Sequence, residues 1–579
     1  MSFLGVEQSL SGRRWVGPPL EIERAAEAIL QHTGLPPAVA QILARRQVAP
    51  QEAAEFLAPS LRDLLPDPHA LKDMEKAARR VLSALDSRQR IAIFADYDVD
   101  GGASAALLLV WLRDMGHRAT LYVPDRIDEG YGPNEEAMAQ LAQAHELIIC
   151  VDCGTLSHGP IAAATGADVL VLDHHLGEET LPDALAVVNP NRQDESGELA
   201  HLCAAGVVFL LLVELGRQLR SLGKSGPDLM GFLDLVGLAT VADVAPLIGV
   251  NRAFVRQGLR VMSRRARPGL AALADVARMD TAPTSYHLGY LLGPRVNAGG
   301  RIGAADLGAR LLATQDPHEA AALAERLDAL NTERREIEAS VRAAALEQAE
   351  TRGMDRALVW AAGPGWHPGV VGIVASRLKE ASGRPSIVIG LENGIGKGSG
   401  RSISGIDLGQ PIHRLAAEGL LIKGGGHKMA AGLTVSEDQL DAAMARLNEL
   451  LEKQGAHLAG AADLRVDGIL MPSAATVDLA EMIDKAGPFG ASAPAPRFVF
   501  ADMAVNFAKR VGENHLKLTF GGKDSKTMEC ISFGAYDGPL GSALENHGGK
   551  HFHLAGRLDI NTWRGRQNVQ LRLEDAALI

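Results

Sequence analysis

Three short apolar runs in this chain each end in residues of metal-ligand type. IAIFA (91–95) runs into Asp96-Tyr97-Asp98-Val99-Asp100-Gly101, LIICV (147–151) into Asp152, and VLVL (169–172) into Asp173-His174-His175. Apolar runs of this length, bounded by polar turns, read as buried strands of a parallel sheet. In an open α/β sheet, ligands bind just outside the carboxyl ends of the strands. The chain is therefore constrained to a fold that aims at least five oxygen or imidazole ligands, from three strand ends, at one crevice. Hard ligands at that density are costly to bury without a cation, and acidic oxygens with one or two histidines suit Mg²⁺ or Mn²⁺. The expectation is a two-metal centre that cleaves phosphoesters.

The 579 residues allow several domains. Residues 1–75 read as an N-terminal helical lead-in with Pro36, Pro37 and Pro50. From 76 to 255 strand and helix patterns alternate: IAIFA before ASAALLLVWLRDMG, RATLYVP before NEEAMAQLAQA, LIICV before IAAAT. That alternation predicts an α/β domain, a mostly parallel sheet with helices on both faces. In the linking region 256–354, Asp316-Pro317 has the form of an N-cap with Pro at N1, and helical periodicity continues to Gly353. Such a helix would span about 50 Å, either as a core helix or as a spacer between two lobes. A second α/β unit is expected over 355–455. The tail, 460–579, switches to period 2 in HLKLTF, MECISF, HFHLAGRLDI and NVQLRLED, which predicts a small Greek-key β-barrel of OB-fold type.

The net charge of −12 does not advertise a nucleic-acid partner, but global charge says little about a local groove. Four cysteines are too few for a disulfide framework, and the Cys150-x-x-Cys153 pair encloses Asp152 at a strand end, where packing is the simpler role. No run reaches the roughly 18 apolar residues of a membrane span. MSFLGVEQSLSGRRWV lacks the apolar core of a signal peptide, so a cytoplasmic location is expected.

Each motif has a bland reading beside the functional one. An Asp-x-Asp after a strand is often a solvated turn or helix cap; here the small residues that follow let a helix start tight against the sheet, with its N-terminus favouring anionic oxygen. Adjacent His174 and His175 at a buried strand end are poor core choices. Asp243, the lone acid in LVGLATVADVAPL, is either a helix cap or a buried acid that needs a partner or a metal.

Together these pieces resemble the DHH phosphoesterase superfamily: an Asp-rich motif, a lone Asp, the DHH triplet, then a further Asp. PRVNAGGRIG (294–303), GWHPGVVGIVASRL (365–378), GSGRSISGIDL (398–408) and KGGGHKMAAG (423–432) are similar to signatures of its RecJ family, single-strand-specific 5′→3′ DNA exonucleases of repair and recombination. The last two belong to the DHH-associated domain. The resemblance implies two divalent ions, Mn²⁺ or Mg²⁺. Asp96 and Asp152 would hold the first; Asp98, Asp152, His174 and Asp243 would hold the second, with Asp152 bridging. Asp98, Asp152 and His175 would act at the scissile phosphate, braced by Asp100 and Asp173. Some relatives carry a further His ligand two residues before the first Asp; here that position is Phe94.

Substrate contacts implied by the resemblance are Arg126, Asn297, Arg301, Ser399, Arg401 and His427; for any single Arg the plain alternative is a surface ion pair. Arg252, Arg256, Arg260 and Arg264 recur every fourth residue, either as a solvated face or as one wall of a DNA channel. Trp563, Arg564 and Arg566 suit base stacking and phosphate contact at a hairpin turn, or simply an edge-strand turn. Single-stranded DNA is the implied partner, with a single-strand-binding protein and a helicase as candidate protein partners and no membrane. Rival readings are a phosphodiesterase for short oligonucleotides or cyclic dinucleotides, which leaves the barrel-like tail unexplained, a catalytically dead scaffold, which should have lost ligands, and a small-molecule pyrophosphatase.

Overall fold

The buried strand Ile91–Ala95 lies inside a five-stranded parallel sheet, between Ala119–Tyr122 on one side and Leu147–Val151 on the other. Beyond Leu147–Val151 come Asp168–Leu172 and Ala186–Val188. The chain leaves Ile91–Ala95 toward one edge, then crosses back to build the other half. Its switch point therefore lies between the ends of Ile91–Ala95 and Leu147–Val151, where Asp96 and Asp152 follow. A parallel sheet opens its ligand crevice at that place. The computed structural model describes residues 2–126, 128–458, 463–523, 525–563 and 565–579.

Sequence pattern explains why this sheet forms. Ile91, Ala92, Ile93, Phe94 and Ala95 are all buried, as a strand covered on both faces requires. Phe94 stacks on Tyr122 at 5.2 Å between ring centroids and packs with Ala92, Cys150 and Val171, so the position that carries a histidine in some relatives is core here. Cys150 and Cys153 are buried free thiols pushed above their usual range by burial, in line with a packing role.

Helix Pro317–Arg352 follows its sequence signals closely. Asp316 accepts the His318 N–H at 2.9 Å, Pro317 starts the first turn, and Gly353 ends the helix at φ 100°. Leu323, Leu327 and Leu330 are buried in its first half. Val341, Ala345 and Ala349 pack on Val359, Ala361 and Val388 of a second sheet. That sheet runs Lys423–His427, Ala430–Ser436, Ile395–Arg401, Ser386–Glu392, Val359–Pro364, antiparallel except for its last pair. The helix is thus a spacer that belongs to both cores.

Residues 65–460 make one compact unit; residues 1–64 and 461–579 make another. In the second unit Phe498–Val511, His515–Gly521, Thr527–Ser532, Arg566–Leu578 and His551–Trp563 pair in that order. Phe498–Val511 also pairs with His551–Trp563, closing a five-stranded barrel.

The N-terminal segment is helical, over Leu20–Thr33 and Pro37–Arg45, but it does not lead into the parallel-sheet domain. Ile29 and Leu43 pack with Leu479, Ile483 and Phe498, and Trp15–Val16 pairs with Leu464–Arg465. Trp15 is fully buried and donates its indole N–H to Asp575 Oδ2 at 2.9 Å. Trp15→Ala should cost about 3–5 kcal/mol, the range for emptying a buried large aromatic site. The measurement is urea unfolding followed unit by unit: the loss should fall on the barrel-containing unit, with the transition of 65–460 unmoved.

Candidate metal centre and phosphate site

Each acid at the switch point is positioned by a local backbone feature. Asp96 leaves the first strand buried. Asp98 caps helix Val99–Asp114, its Oδ1 accepting from the N–H groups of Asp100 at 2.9 Å and Gly101 at 3.1 Å. A Cβ on Gly101 would lie 2.4 Å from the Asp96 carbonyl oxygen, so only glycine lets the helix begin this close to the strand end. Asp152 sits at φ 60°, a left-handed conformation that Asp tolerates better than most residues and that clusters at functional sites. Asp243 follows helix Leu233–Ala242 as its C-terminal cap.

These side chains converge. Ligand atoms of Asp96, Asp98 and Asp152 lie within 4.8 Å of one another, as do those of Asp152, His174 and His175, and those of Asp100, His174 and Asp243. Asp152 is common to two of the groups and His174 to two. His174 Nε2 stands 3.3 Å from Asp152 Oδ1 and 3.9 Å from Asp243 Oδ2. Asp96 Oδ1 and Asp152 Oδ1 are buried and accept no hydrogen bond from any described residue. Burial first, and the neighbouring carboxylates second, push the carboxyls of Asp96 and Asp152 well above the usual range and Asp243 up to about 9. Orphaned buried oxygens crowded by like charge are a donor set that fits hard divalent cations.

Asp100 and Asp173 both accept hydrogen bonds from backbone N–H groups. Asp100 accepts from the N–H groups of Ala204 at 2.7 Å and Ala205 at 2.8 Å, tying down the start of helix Ala204–Ser221. Asp173 Oδ1 accepts from the N–H of His174 at 2.7 Å and from His175 Nδ1 at 2.8 Å, and its Oδ2 accepts from Thr155 N–H at 3.1 Å. Burial works against the Asp173 charge, yet His175 and these donors hold it well below the usual range. In return, and against its own burial, His175 rises to about 9.

Beside the acids lies a group of bases. The Arg126 guanidinium sits 5.1 Å from the Tyr97 ring centroid. Arg301, from helix Gly293–Ile302, donates to Gly369 O at 3.0 Å, and burial plus the charges of Arg126 and Arg334 bring it down to about 10. Burial and Arg126 also lower Arg401, and His367 is lowered the same way. Gly369 and Gly372 of helix Pro368–Ser382 make the approach possible: a Cβ would lie 2.3 Å from Arg301 O at the first, and 3.0 Å from Arg401 Nη2 and 3.2 Å from Ser399 Oγ at the second.

On the strand of Arg401, alternation explains the glycines. Gly396, Gly398 and Gly400 face Ile389, Leu433 and Leu408, leaving Ser399 and Arg401 to the opposite side. Arg401, Ala430 and His427 share one row across three strands, with His427 exposed at its end.

Profiles of three families match the chain: the DHH family, N-terminal domain, over 90–240; the DHHA1 domain over 355–453; and the RecJ OB domain over 466–575. The single-stranded-DNA-specific exonuclease RecJ of Dickeya dadantii is 40% identical over 566 residues, covering 93% of this chain and 96% of that protein. The chain belongs to the RecJ family. RecJ of Escherichia coli is 36% identical, with coverage of 93% and 96%. The crystal structure of RecJ with Mn²⁺ from Thermus thermophilus superposes with a TM-score of 0.80 at 29% identity, covering 97% of this chain and 79% of that one. A second structure of that protein holds Mg²⁺.

Other residues singled out in the sequence are placed as follows. Asn297 Oδ1 accepts from the Val99 N–H at 3.0 Å, positioning the Asp98 helix. Of the four-residue arginine series, Arg252 is buried, Arg256 half-buried, and only Arg260 and Arg264 are exposed, so the series is no single exposed face. Trp563 and Arg566 pair across the barrel hairpin, while the Trp563 side chain and all of Arg564 lie outside the described residues.

Three features were missed. Tyr131 donates to Asp152 O at 3.0 Å and meets His175 edge-on at 5.5 Å. Asn189 and Asn191 donate to His175 O at 2.8 Å and His174 O at 2.5 Å; their only sequence signal is NPN directly after a strand. On the barrel, exposed Phe533 has the Arg572 guanidinium 5.2 Å from its ring and His515 edge-on at 5.2 Å.

A pH dependence follows from the raised carboxyls. Below their raised values they keep protons that a cation must displace, so Mn²⁺ binding should release protons at pH 7 and its apparent affinity should climb until about pH 9, the Asp243 value. Calorimetric titration of the ion-free protein in buffers of differing ionisation enthalpy reads this directly; an affinity flat between about pH 6 and 9 contradicts the assignment.

Proposed function

We propose that this chain is a divalent-metal-dependent exonuclease that degrades single-stranded DNA from the 5′ end and releases nucleoside 5′-monophosphates. The observation that carries the reading is a buried acid cluster at the switch point with a group of bases beside it: Arg126 stands over the ring of Tyr97, between Asp96 and Asp98, and its charge also reaches Arg301 and Arg401. A nuclease needs that pair: cations for the phosphate under attack and a fixed anion site to set which phosphate that is. Curated relatives named as single-stranded-DNA-specific exonucleases, and a barrel matching the RecJ OB domain, support the substrate class.

Asp96, Asp98 and Asp152 would hold one cation, and Asp152, His174 and Asp243, with Asp98 at the margin, the other. When bound, a pair of such cations supplies Lewis-acid stabilisation of phosphate charge and lowers the pKa of attacking water. The chain's own residues do the rest. Arg401, Ser399 and Arg301 hold the terminal 5′-phosphate by their donors, and the nearby glycines leave room for it. Asp173 fixes His175 through Nδ1, and Nε2, 3.1 Å from the Tyr131 hydroxyl, would offer a proton to the departing 3′ oxygen. Each cleavage leaves a new 5′-phosphate on the remaining strand, so the same anion site can be used again.

Digestion of 5′-labelled and 3′-labelled single strands tests the reading. With Mn²⁺ the 5′ label should appear at once as mononucleotide, while the 3′ label stays in long products. Asp152→Ala should abolish cleavage with DNA binding kept, because the shared ligand is lost and the arginines are untouched. Rapid release of the 3′ label instead would overturn the polarity. Arg401→Ala should weaken use of 5′-phosphorylated ends by about tenfold or more, the scale of a lost charge-assisted contact, and of 5′-hydroxyl ends far less. Equal losses would make Arg401 a general backbone contact.

A further inference from the structure

Tyr286 and Tyr290 are 54% and 73% exposed, yet their rings stack on each other at 5.2 Å between centroids with 24° between planes. The backbone holds them together: His287–Leu292 is a π-helical stretch, a wider turn than an α-helix and one found most often at functional sites. This stretch runs directly into helix Gly293–Ile302, which carries Asn297 and Arg301. Asn297 and Arg301 thus follow Tyr290 by seven and eleven residues on one continuous helical segment. From Tyr290 to Arg301 the rise is about 16 Å, a few nucleotides of strand.

The pair is also tied to the acid cluster. A Cβ on Gly289 would lie 3.4 Å from Val241 Cγ1, and one on Gly293 would lie 3.3 Å from Ala242 Cβ, so the tyrosine turn packs on the helix end that delivers Asp243. The residue after Asp243, Val244, is 69% exposed.

Resting on the exonuclease reading, we propose that Tyr286 and Tyr290 form a stacking platform for the bases a few nucleotides inside the 5′ end, and that this platform contributes to single-strand selectivity. Every base offers a π-face, so stacking on an aromatic is sequence-tolerant. In a duplex those faces are taken by neighbouring bases and the edges by pairing, so the platform accepts unpaired strand alone. Phosphates pass along the Arg301 side while the bases turn to the tyrosines.

The test uses the full-length protein with Mn²⁺ and 5′-phosphorylated DNA. Tyr286→Ala with Tyr290→Ala should lower kcat/KM on a long single strand by about tenfold, the size of a lost base stack, through KM. Turnover of a dinucleotide should be unchanged, and the matching Phe variants should behave as wild type. A single abasic position walked inward from the 5′ end should find a register where the wild type loses the same factor and the double Ala variant loses nothing more. Equal losses on dinucleotide and long strand would overturn the proposal, leaving the tyrosines as props for the Asp243 helix. Unchanged kcat/KM on long strands would also overturn it and assign the exposed pair to another partner, such as a protein. A wild type that digests no single strand at all would sink the exonuclease reading instead.

Discussion

Like charge held in too little water governs this molecule. Asp96, Asp98, Asp100, Asp152 and Asp243 meet where a parallel sheet reverses its strand order, several of them almost out of solvent. Two unit charges about 4 Å apart repel by about 4 kcal/mol at the effective dielectric of such a site. The surrounding fold opposes that repulsion by covalent and hydrogen-bonded restraint. Strand ends fix Asp96 and Asp152, a helix cap fixes Asp98, and two amide donors fix Asp100. The DHH triplet is locked from both sides, by Asp173 within it and by Asn189 and Asn191 outside. The acids are preorganised for cations and cannot relax away from one another.

The basic group next to them faces the inverse problem. Arg126, Arg301 and Arg401 come from three distant stretches of chain, and burial together with the Arg126 charge lowers Arg301 and Arg401. Glycines on helix Pro368–Ser382 remove the steric obstacle that would keep them apart. An acidic and a basic cluster side by side are what the proposed phosphodiester site would use to place and orient its substrate.

Much of this was legible in the chain because it is written locally. Apolar runs ending in acids announce both the sheet and its ligand edge, and Asp316-Pro317 and Gly353 mark the ends of the long helix residue by residue. What was not legible depends on distance or on phase. Trp15 finds Asp575 across nearly the whole chain, so an N-terminal helical stretch reads as a lead-in although it packs on the barrel. A period of four residues drifts about 40° per step against an α-helix, which turns the series from buried Arg252 to exposed Arg260, and Arg264 lies past the helix end. Nothing local in NAGGR shows that the Asn297 acceptor serves the N-terminus of the Asp98 helix, nearly two hundred residues earlier in the chain. The tyrosine pair carries no local mark in the sequence of the π-helical turn that holds it.

The barrel-containing unit is assembled from two stretches separated by all of 65–460. Domains usually fold as they leave the ribosome, N-terminal parts first. Here residues 2–64 emerge early but must wait, their apolar faces at Ile29 and Leu43 uncovered, while the entire parallel-sheet unit is synthesised. The order of maturation is thereby imposed by chain topology: the unit carrying the acid cluster can close first, and the barrel only after its own strands are made. A newborn chain therefore has its cutting centre before its barrel, and the interval between the two is when its N-terminal helices most need a chaperone.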